Sequence, residues 1–396
     1  MMQDKPYLSL DERDRRYKLV REAMKDRGLD ALLVYGDGSK WGWLMANIHY
    51  LSGGVGGNGE EAFMVFPLDG EPTVILWGAG ADFAEGWVEY GSWITVWRNR
   101  TAGSFAKAAV ERLKELNLTR ATIGLPGMLE TDAIQLPLSI YNTQRAELPE
   151  ADFEGASGLI EDIRAVKSSE EIELMRKAQQ IGDLTMDAMA EVIRPGALYT
   201  EVSVAAYKTM LSHGCDTPLQ FIMHVGMSRG RMTFTYQRPF ENGDIVLVEF
   251  SPRVHGYCGH FNKGFVVGDW PDEQSEKVYL AALASYRAGC NALRPGITIG
   301  ELSKVFSEPV IAAGFTPRVI HCHGTGLGTE TGIGCFADSV EPQASVVIRE
   351  GITIGVEPGA CSLDGRYAIN MGDVVQVTRD GALPLTNRKL EIVICK

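Results

Sequence analysis

The chain has 396 residues, room for about two domains at roughly 150 residues each. Its composition, 45% hydrophobic, 22% charged and 9% aromatic, is that of a globular protein and excludes collagen-like, coiled-coil and disordered chains. With 38 Lys and Arg against 51 Asp and Glu the formal net charge is −13, and so acidic a chain repels a phosphate backbone, which argues against nucleic acid as a partner.

In chain order, Ser9 and Glu12 have the spacing of a capping box, Tyr17, Val20, Ala23 and Met24 follow at helical spacing, and Arg27-Gly28 supplies a stop. ALLVYG at 31–36 reads as a buried strand. EAFMVF, the turn Pro67-Leu68-Asp69-Gly70 and PTVILWG read as a hairpin, because Pro presets one turn dihedral and Gly closes it. Ser104 to Leu116 is expected as a helix and 121–125 as a strand, which makes residues 1–157 a small α/β domain. Six of the seven Trp lie in its first hundred residues, whereas every Cys lies beyond residue 200, so 158–396 is expected to be a second domain with a different task.

That second domain opens with IEDIRAVKSSEEIELMRKA, where Ser168 and Glu171 form another capping box. Ile172, Met175, Ala178, Ile181, Leu184 and Ala188 stripe one face of a long helix ending at Arg194-Pro195-Gly196. An internal repeat follows: RPGALYTEVS begins at Arg194 and RPGITIGELS at Arg294. The run LQFIMHVGMSRG is matched by RVIHCHGTGLG, and GDIVLVE by GITIGVE, so Glu249 and Glu357 occupy equivalent places in two helix-helix-strand-strand units. A pseudo-twofold relating the units would bring the two carboxylates face to face.

Five His, at 224, 255, 260, 321 and 323, are interleaved with those Glu. At the strand period of two, His321 and His323 are expected on one face. A Glu on a strand as apolar as IVLVEF costs several kcal/mol to bury unless paired or coordinated, and the His are candidate partners. No apolar run approaches the ~20 residues that span a bilayer, the start has no apolar stretch before a cleavage site, and the seven Cys form no C-x-x-C pair. A cytoplasmic protein with no membrane partner is expected.

The run GDIVLVEFSPRVHGYCGHFNKGFVVG, then HCHGTGLG, VEPG and VVQVTRDGALPLT, resembles the creatinase, prolidase and methionine aminopeptidase superfamily. IRAVKSSEEIELMRKA resembles the joint before its C-terminal domain, and NIHYLSGG a segment of its N-terminal domain. The resemblance implies an α+β protein: a pita-bread C-terminal domain with a pseudo-twofold repeat, preceded by the smaller creatinase-type α/β domain. The superfamily's metallopeptidases hold two metal ions with two Asp, one His and two Glu. Carried over, these positions fall on Glu249, His260, His323, Glu357 and Gly372, and the last has no side chain. The superfamily's other active-site His positions fall on Met232 and Glu330, and the second-strand Glu of creatinase falls on Asn262.

Two readings of the residues follow. In one, His260, His323 and Glu357, with Glu249 as fourth ligand or base, hold a single divalent ion, Zn, Fe or Mn. In the other, of creatinase type and without metal, His255 or His260 is a general base tuned by Glu249 or Glu357. Asn262, His321 and Glu330 are expected to touch substrate. Trp41 and Trp43, on a Gly-rich loop, are costly to leave uncovered: they either pack at the domain joint or, as the resemblance to dimeric creatinases implies, close over the site of a neighbouring subunit in a homodimer. Cys258 and Cys322, beside the site, are expected to be inert. From the altered ligands the expected activity is a non-peptidase hydrolase or lyase acting on a small polar metabolite, most simply carbon–nitrogen hydrolysis, with peptidase chemistry disfavoured. The rivals are a metal-dependent Xaa-Pro aminopeptidase or prolidase, which would need Asp373 to compensate for Gly372, and a catalytically silent binding protein.

Overall fold

The computed structural model describes residues 8–38, 44–55, 60–78, 81–129, 134–225, 238–341 and 343–396. The chain divides into two compact units, residues 1–164 and 165–396. Trp41, Trp43 and Met232 lie outside the described residues. Among the described residues no helix is long and apolar enough to cross a membrane.

The first unit comprises α1 (Leu10–Asp26), β1 (Ala31–Asp37), α2 (Ala46–Ser52), β2 (Glu61–Pro67), β3 (Thr73–Leu76), α3 (Ala81–Glu89), β4 (Val96–Asn99), α4 (Phe105–Glu115), β5 (Thr122–Leu125), α5 (Leu138–Glu147), β6 (Asp152–Gly155) and α6 (Leu159–Ala165). Its strands form one mixed sheet in the order β4-β3-β2-β1-β5-β6, and the expected hairpin is the antiparallel pair β2–β3. Phe105, Ala108, Ala109 and Leu113 of α4 pack on Phe63, Val65 and Ile75 of that hairpin. Each large apolar side chain so buried contributes roughly 1.5–3 kcal/mol. Half of the first capping box forms: Ser9 Oγ accepts from Glu12 N–H at 3.1 Å. The Glu12 carboxylate turns instead to the fully buried Arg16 at 2.7 Å, whose guanidinium also donates to Tyr50 O and lies 4.2 Å from the Tyr50 ring. An unpaired buried cation would be costly, and this cage removes the cost.

The second unit opens with α7 (Ser169–Val192), whose capping box is complete, and α8 (Tyr199–Ser212). β7 (Phe221–Val225), β8 (Ile245–Phe250), β9 (Arg253–Val254), β10 (Tyr257–Cys258) and β11 (Phe261–Val267) follow. Then come α9 (Glu273–Ala292), α10 (Ile299–Ala312), β12 (Thr316–Pro317), β13 (Ile320–Thr325), β14 (Thr329–Phe336), β15 (Thr353–Val356), β16 (Gly359–Cys361), β17 (Ala368–Asn370), β18 (Asp373–Thr378), β19 (Gly381–Pro384) and β20 (Val393–Cys395). A four-stranded sheet, β20-β11-β8-β7, and a five-stranded sheet, β14-β13-β15-β18-β19, carry the two halves. A bridge between Asn262 and Gly372 stitches β11 to the start of β18.

The repeat is present in backbone detail. Arg194 donates to Val192 O at 2.9 Å and Arg294 to Ala292 O at 3.0 Å, each closing its helix. Gly196 N–H donates to Phe240 O and Gly296 N–H to Ile348 O, and each half continues into a helix of 14 residues. Alternation then sorts side chains to two faces. Cys322, Ile354, Val356, Val375 and Val377 join the helix-side core with Leu302 and Phe306, and the opposite faces of the same strands carry the polar residues.

Candidate functional site

His260 lies just before β11, Asn262 on it, His323 on β13, and Glu357 directly after β15. These strands belong to different halves of the repeat, and they bring ligand-type atoms of His260, His323 and Glu357 within 4.8 Å of one another. Glu357 Oε1 is 3.4 Å from His323 Nε2, and Oε2 is 3.5 Å from His260 Nε2. His260 and Glu357 are buried and His323 is half-buried.

The tautomers follow from the outer contacts. His323 Nδ1 faces the carbonyl of Gly324 at 3.0 Å, which can only accept, so Nδ1 carries the proton and Nε2 presents a lone pair. His260 Nε2 faces the Asn262 amide nitrogen at 3.2 Å, a donor, and its Nδ1 faces Ser251 Oγ at 3.1 Å, so it too is protonated on Nδ1. Two imidazole lone pairs and a carboxylate thus converge, three acceptors that repel unless a positive charge joins them. This is the tautomer in which imidazole ligates metal, with the second nitrogen held by an outer partner. Two His and one carboxylate suit a divalent ion, and the 3.4–3.5 Å separations fit ligands about 2.0–2.2 Å from a shared centre.

The same demand for positive charge shows in the titration. Burial alone would push the Glu357 carboxyl up, but a second proton taken up on His260 Nε2, which then hydrogen-bonds to it, and the charges of His323, His260 and Arg318 hold it below the usual carboxylate range. Burial pulls His260 down, and the hydrogen bond and charge of Glu357, with Glu249 and Asp373 behind, outweigh it and raise the imidazole.

The remaining expected residues fall in different places. Glu249, half-buried on β8, accepts from Gln220 Nε2 at 2.7 Å and lies opposite Asn262 across the sheet. It shares the polar face but does not belong to the three-ligand group. His255 forms the turn of the β9–β10 hairpin at φ 49°, buried and likewise outside that group. Glu330 is buried against the Lys167 ammonium at 3.4 Å. The expectation that His321 shares a face with His323 is corrected: the register slips between Ile320 and Cys322, a bulge that turns His321 away. His321 meets Ser307 Oγ at 3.0 Å and stacks on Phe306, both of α10, and burial pulls its imidazole down to about 4. Cys258 is a buried thiol pushed up by burial to about 12, and Cys322 is raised well above its ordinary value by its contact with the Cys335 thiol and by burial; thiols held protonated in this way are unreactive.

Neither route to a fifth ligand is open. A Cβ on Gly372 would lie 1.9 Å from Val356 O, so no side chain fits there. Asp373, the proposed substitute, is buried in an ion pair with Lys263 Nζ at 2.6 Å on both oxygens. Sequence reading missed Arg318, Asn370, Ser251 and Gln220, each of which touches a site residue or its neighbour. None carries a sequence signal beyond standing near a residue that does.

A family model described as Metallopeptidase family M24 matches residues 173–379, and one described as Creatinase/Prolidase N-terminal domain matches residues 16–166. The chain is 25% identical over 285 residues to an Xaa-Pro dipeptidase of Pyrococcus furiosus, covering 72% of this chain and 78% of that protein. It is 23% identical over 388 residues to an Xaa-Pro dipeptidase of Pyrococcus horikoshii, covering 97% and 100%. The solved prolidase of Pyrococcus horikoshii OT3 shares the fold with a TM-score of 0.76 at 21% identity, covering 96% of this chain and 100% of that one. These findings overturn the expectation of a non-peptidase carbon–nitrogen hydrolase with peptidase chemistry disfavoured: the family is one of metallopeptidases and these relatives are named dipeptidases. The expectation gave the substitutions at Glu249, His260 and Gly372 more weight than the two His and Glu that still converge.

Proposed function

The chain belongs to metallopeptidase family M24, and from that premise we propose that it is a metal-dependent dipeptidase acting on Xaa-Pro substrates, with one divalent ion held by His260, His323 and Glu357. The observation that carries this reading is the convergence of two imidazole lone pairs and a carboxylate within 4.8 Å. A divalent ion bound there would polarise the scissile carbonyl and lower the pKa of a water. Glu249, with one oxygen engaged by Gln220, supplies the second carboxylate of that face and takes the proton of the attacking water. A single ion is supported by the steric closure at Gly372 and by the engagement of Asp373 with Lys263.

The test is elemental analysis of protein purified without chelator, followed by Xaa-Pro dipeptide hydrolysis with Mn, Co or Zn supplied. About one ion per chain and turnover that disappears in His323→Ala are expected. Absence of hydrolysis of every Xaa-Pro dipeptide by the metal-loaded protein would remove the reading, and two tightly held ions would remove its single-ion form.

A further inference from the structure

Asn262 places a side-chain amide between the inward atoms of His260 and Glu357, and which end of that amide points inward decides what the site can hold. Its orientation is fixed from outside. Arg318 has only donors, and its Nη1 donates to Asn370 Oδ1 at 2.9 Å. That contact turns the Asn370 nitrogen inward, and Nδ2 donates to Asn262 Oδ1 at 2.7 Å. With its oxygen so engaged, Asn262 must present Nδ2 to the site, where it donates to Glu357 Oε2 and approaches His260 Nε2. Both amides are therefore oriented by one guanidinium, and neither can turn without losing two hydrogen bonds.

The backbone seats this chain of contacts. Arg318 N–H donates to Gly359 O at 2.9 Å, and a Cβ on Gly359 would lie 2.5 Å from Arg318 Cδ, so the glycine two residues after Glu357 makes room for the arginine stem. Asn262 is itself held opposite Gly372 by a backbone pair, N–H to O at 3.2 Å and 2.7 Å. The close approach that forbids a side chain at Gly372 thus brings Asn262 within reach of Glu357.

We propose that Arg318, acting through Asn370 and Asn262, is the positioning residue that holds Glu357 Oε2 and leaves Oε1 facing His323. Neutral amides carry the polarity of the guanidinium inward without adding a charge that would compete with a cation at the three acceptors. Partners of this outer kind typically govern metal affinity by about 10–100-fold. The bearing of the relay on catalysis rests on the dipeptidase reading, whereas its geometry does not.

Two measurements on the full chain separate these. In metal-free protein, the Asn262 side-chain NH2, identified by its loss in Asn262→Leu, should show one proton shifted downfield by the Glu357 carboxylate. Asn370→Asp keeps the acceptor for Arg318 but removes the donor to Asn262, so the amide turns and that signal returns to the ordinary range. Arg318→Met should do the same and Arg318→Lys should partly retain it. In calorimetric titration with Mn²⁺, each single variant should bind about 10–100-fold more weakly. The double variant Arg318→Met/Asn370→Asp should be no weaker than the worse single, since links of one chain do not add. Wild-type shifts and affinity in both single variants, or losses that add in the double variant, would overturn the proposal. A wild type that shows the downfield proton, lost in the variants, but binds no metal would uphold the relay and remove the metal-dependent reading instead.

Discussion

The two halves of the second unit share one scaffold and differ in their chemistry. Glu249 of the first half and Glu357 of the second stand at equivalent strand ends, yet Glu249 is half-buried on a glutamine while Glu357 is buried among two imidazoles and an amide. The first half contributes His260 and Asn262 from the start of β11, and the other half His323 and Glu357. The repeat thus places a carboxylate at equivalent positions in both halves, and only Glu357 gathers the two imidazoles. The largest effects should break this asymmetry. His260→Ala or His323→Ala should abolish metal binding and activity together, because each removes one of three ligands. Glu249→Gln should leave the ion bound while lowering kcat by about 10²–10⁴-fold, the usual worth of a general base. Parallel elemental analysis and dipeptidase assays distinguish the two, and loss of metal in Glu249→Gln would make Glu249 a fourth ligand.

Lys263 and Asp373 test how the halves are joined beneath the site. The pair is buried at 2% and 3% side-chain exposure, and burial pulls the lysine down and the carboxyl up, with each partner restoring the other. Lys263→Met leaves an uncompensated buried carboxylate and should destabilise the second unit by about 3–5 kcal/mol, whereas Lys263→Met/Asp373→Leu should recover much of that. Chemical denaturation of both variants decides it, and equal losses would show that packing rather than charge dominates.

The raised His260 and lowered Glu357 set a pH dependence. Proton and ion compete for the same lone pair, so divalent affinity should be weak in acid and rise as the pH climbs through the His260 value, above the ordinary 6.5. Without the ion the sign for stability is opposite. The His260 contribution is full below its unfolded value and is lost as pH rises through the folded one, so thermal stability of the metal-free protein should fall across that window. Titrations with Mn²⁺ and melting curves at matched pH check both slopes.

Much of this was legible in the sequence because it is local. Capping residues, the Pro67–Gly70 turn and the repeat of Arg-Pro-Gly at one hundred residues' spacing depend on neighbours within a few positions, and each forms its expected element. His260, His323 and Glu357 are legible as a group because the resemblance carries the superfamily's ligand positions onto them. His321 was misplaced because a one-residue bulge defeats the period of two. That Asp373 is not free to compensate for Gly372 is not legible locally, because Lys263, on another strand, holds it. Arg318 and Asn370 escaped notice for the same reason: their roles lie in hydrogen-bond direction across 52 residues and then 108. The expected non-peptidase activity fails because altered ligands at single positions say less about the chemistry than the pattern that runs through the whole chain.

The smallest expected effect examines the equivalence of the halves where no chemistry intervenes. Gly196 and Gly296 follow the paired Arg-Pro turns at φ 86° and 92°, and a Cβ on either would meet nothing within 4 Å. Space is open at both, so replacement by Ala carries only the backbone penalty for a left-handed conformation, roughly 1–2 kcal/mol, with no clash to separate the two sites. Gly196→Ala and Gly296→Ala should therefore lower the melting temperature of the second unit by the same amount and leave kcat/KM unchanged, since neither residue touches the ligands. A clear inequality between them would mean that one half tolerates local opening more than the other. If Gly296→Ala cost more, the half carrying His323 and Glu357 would be the one whose rigidity the site requires, because its turn is tied through Ile348 and Ile297 to the strand that ends at Glu357.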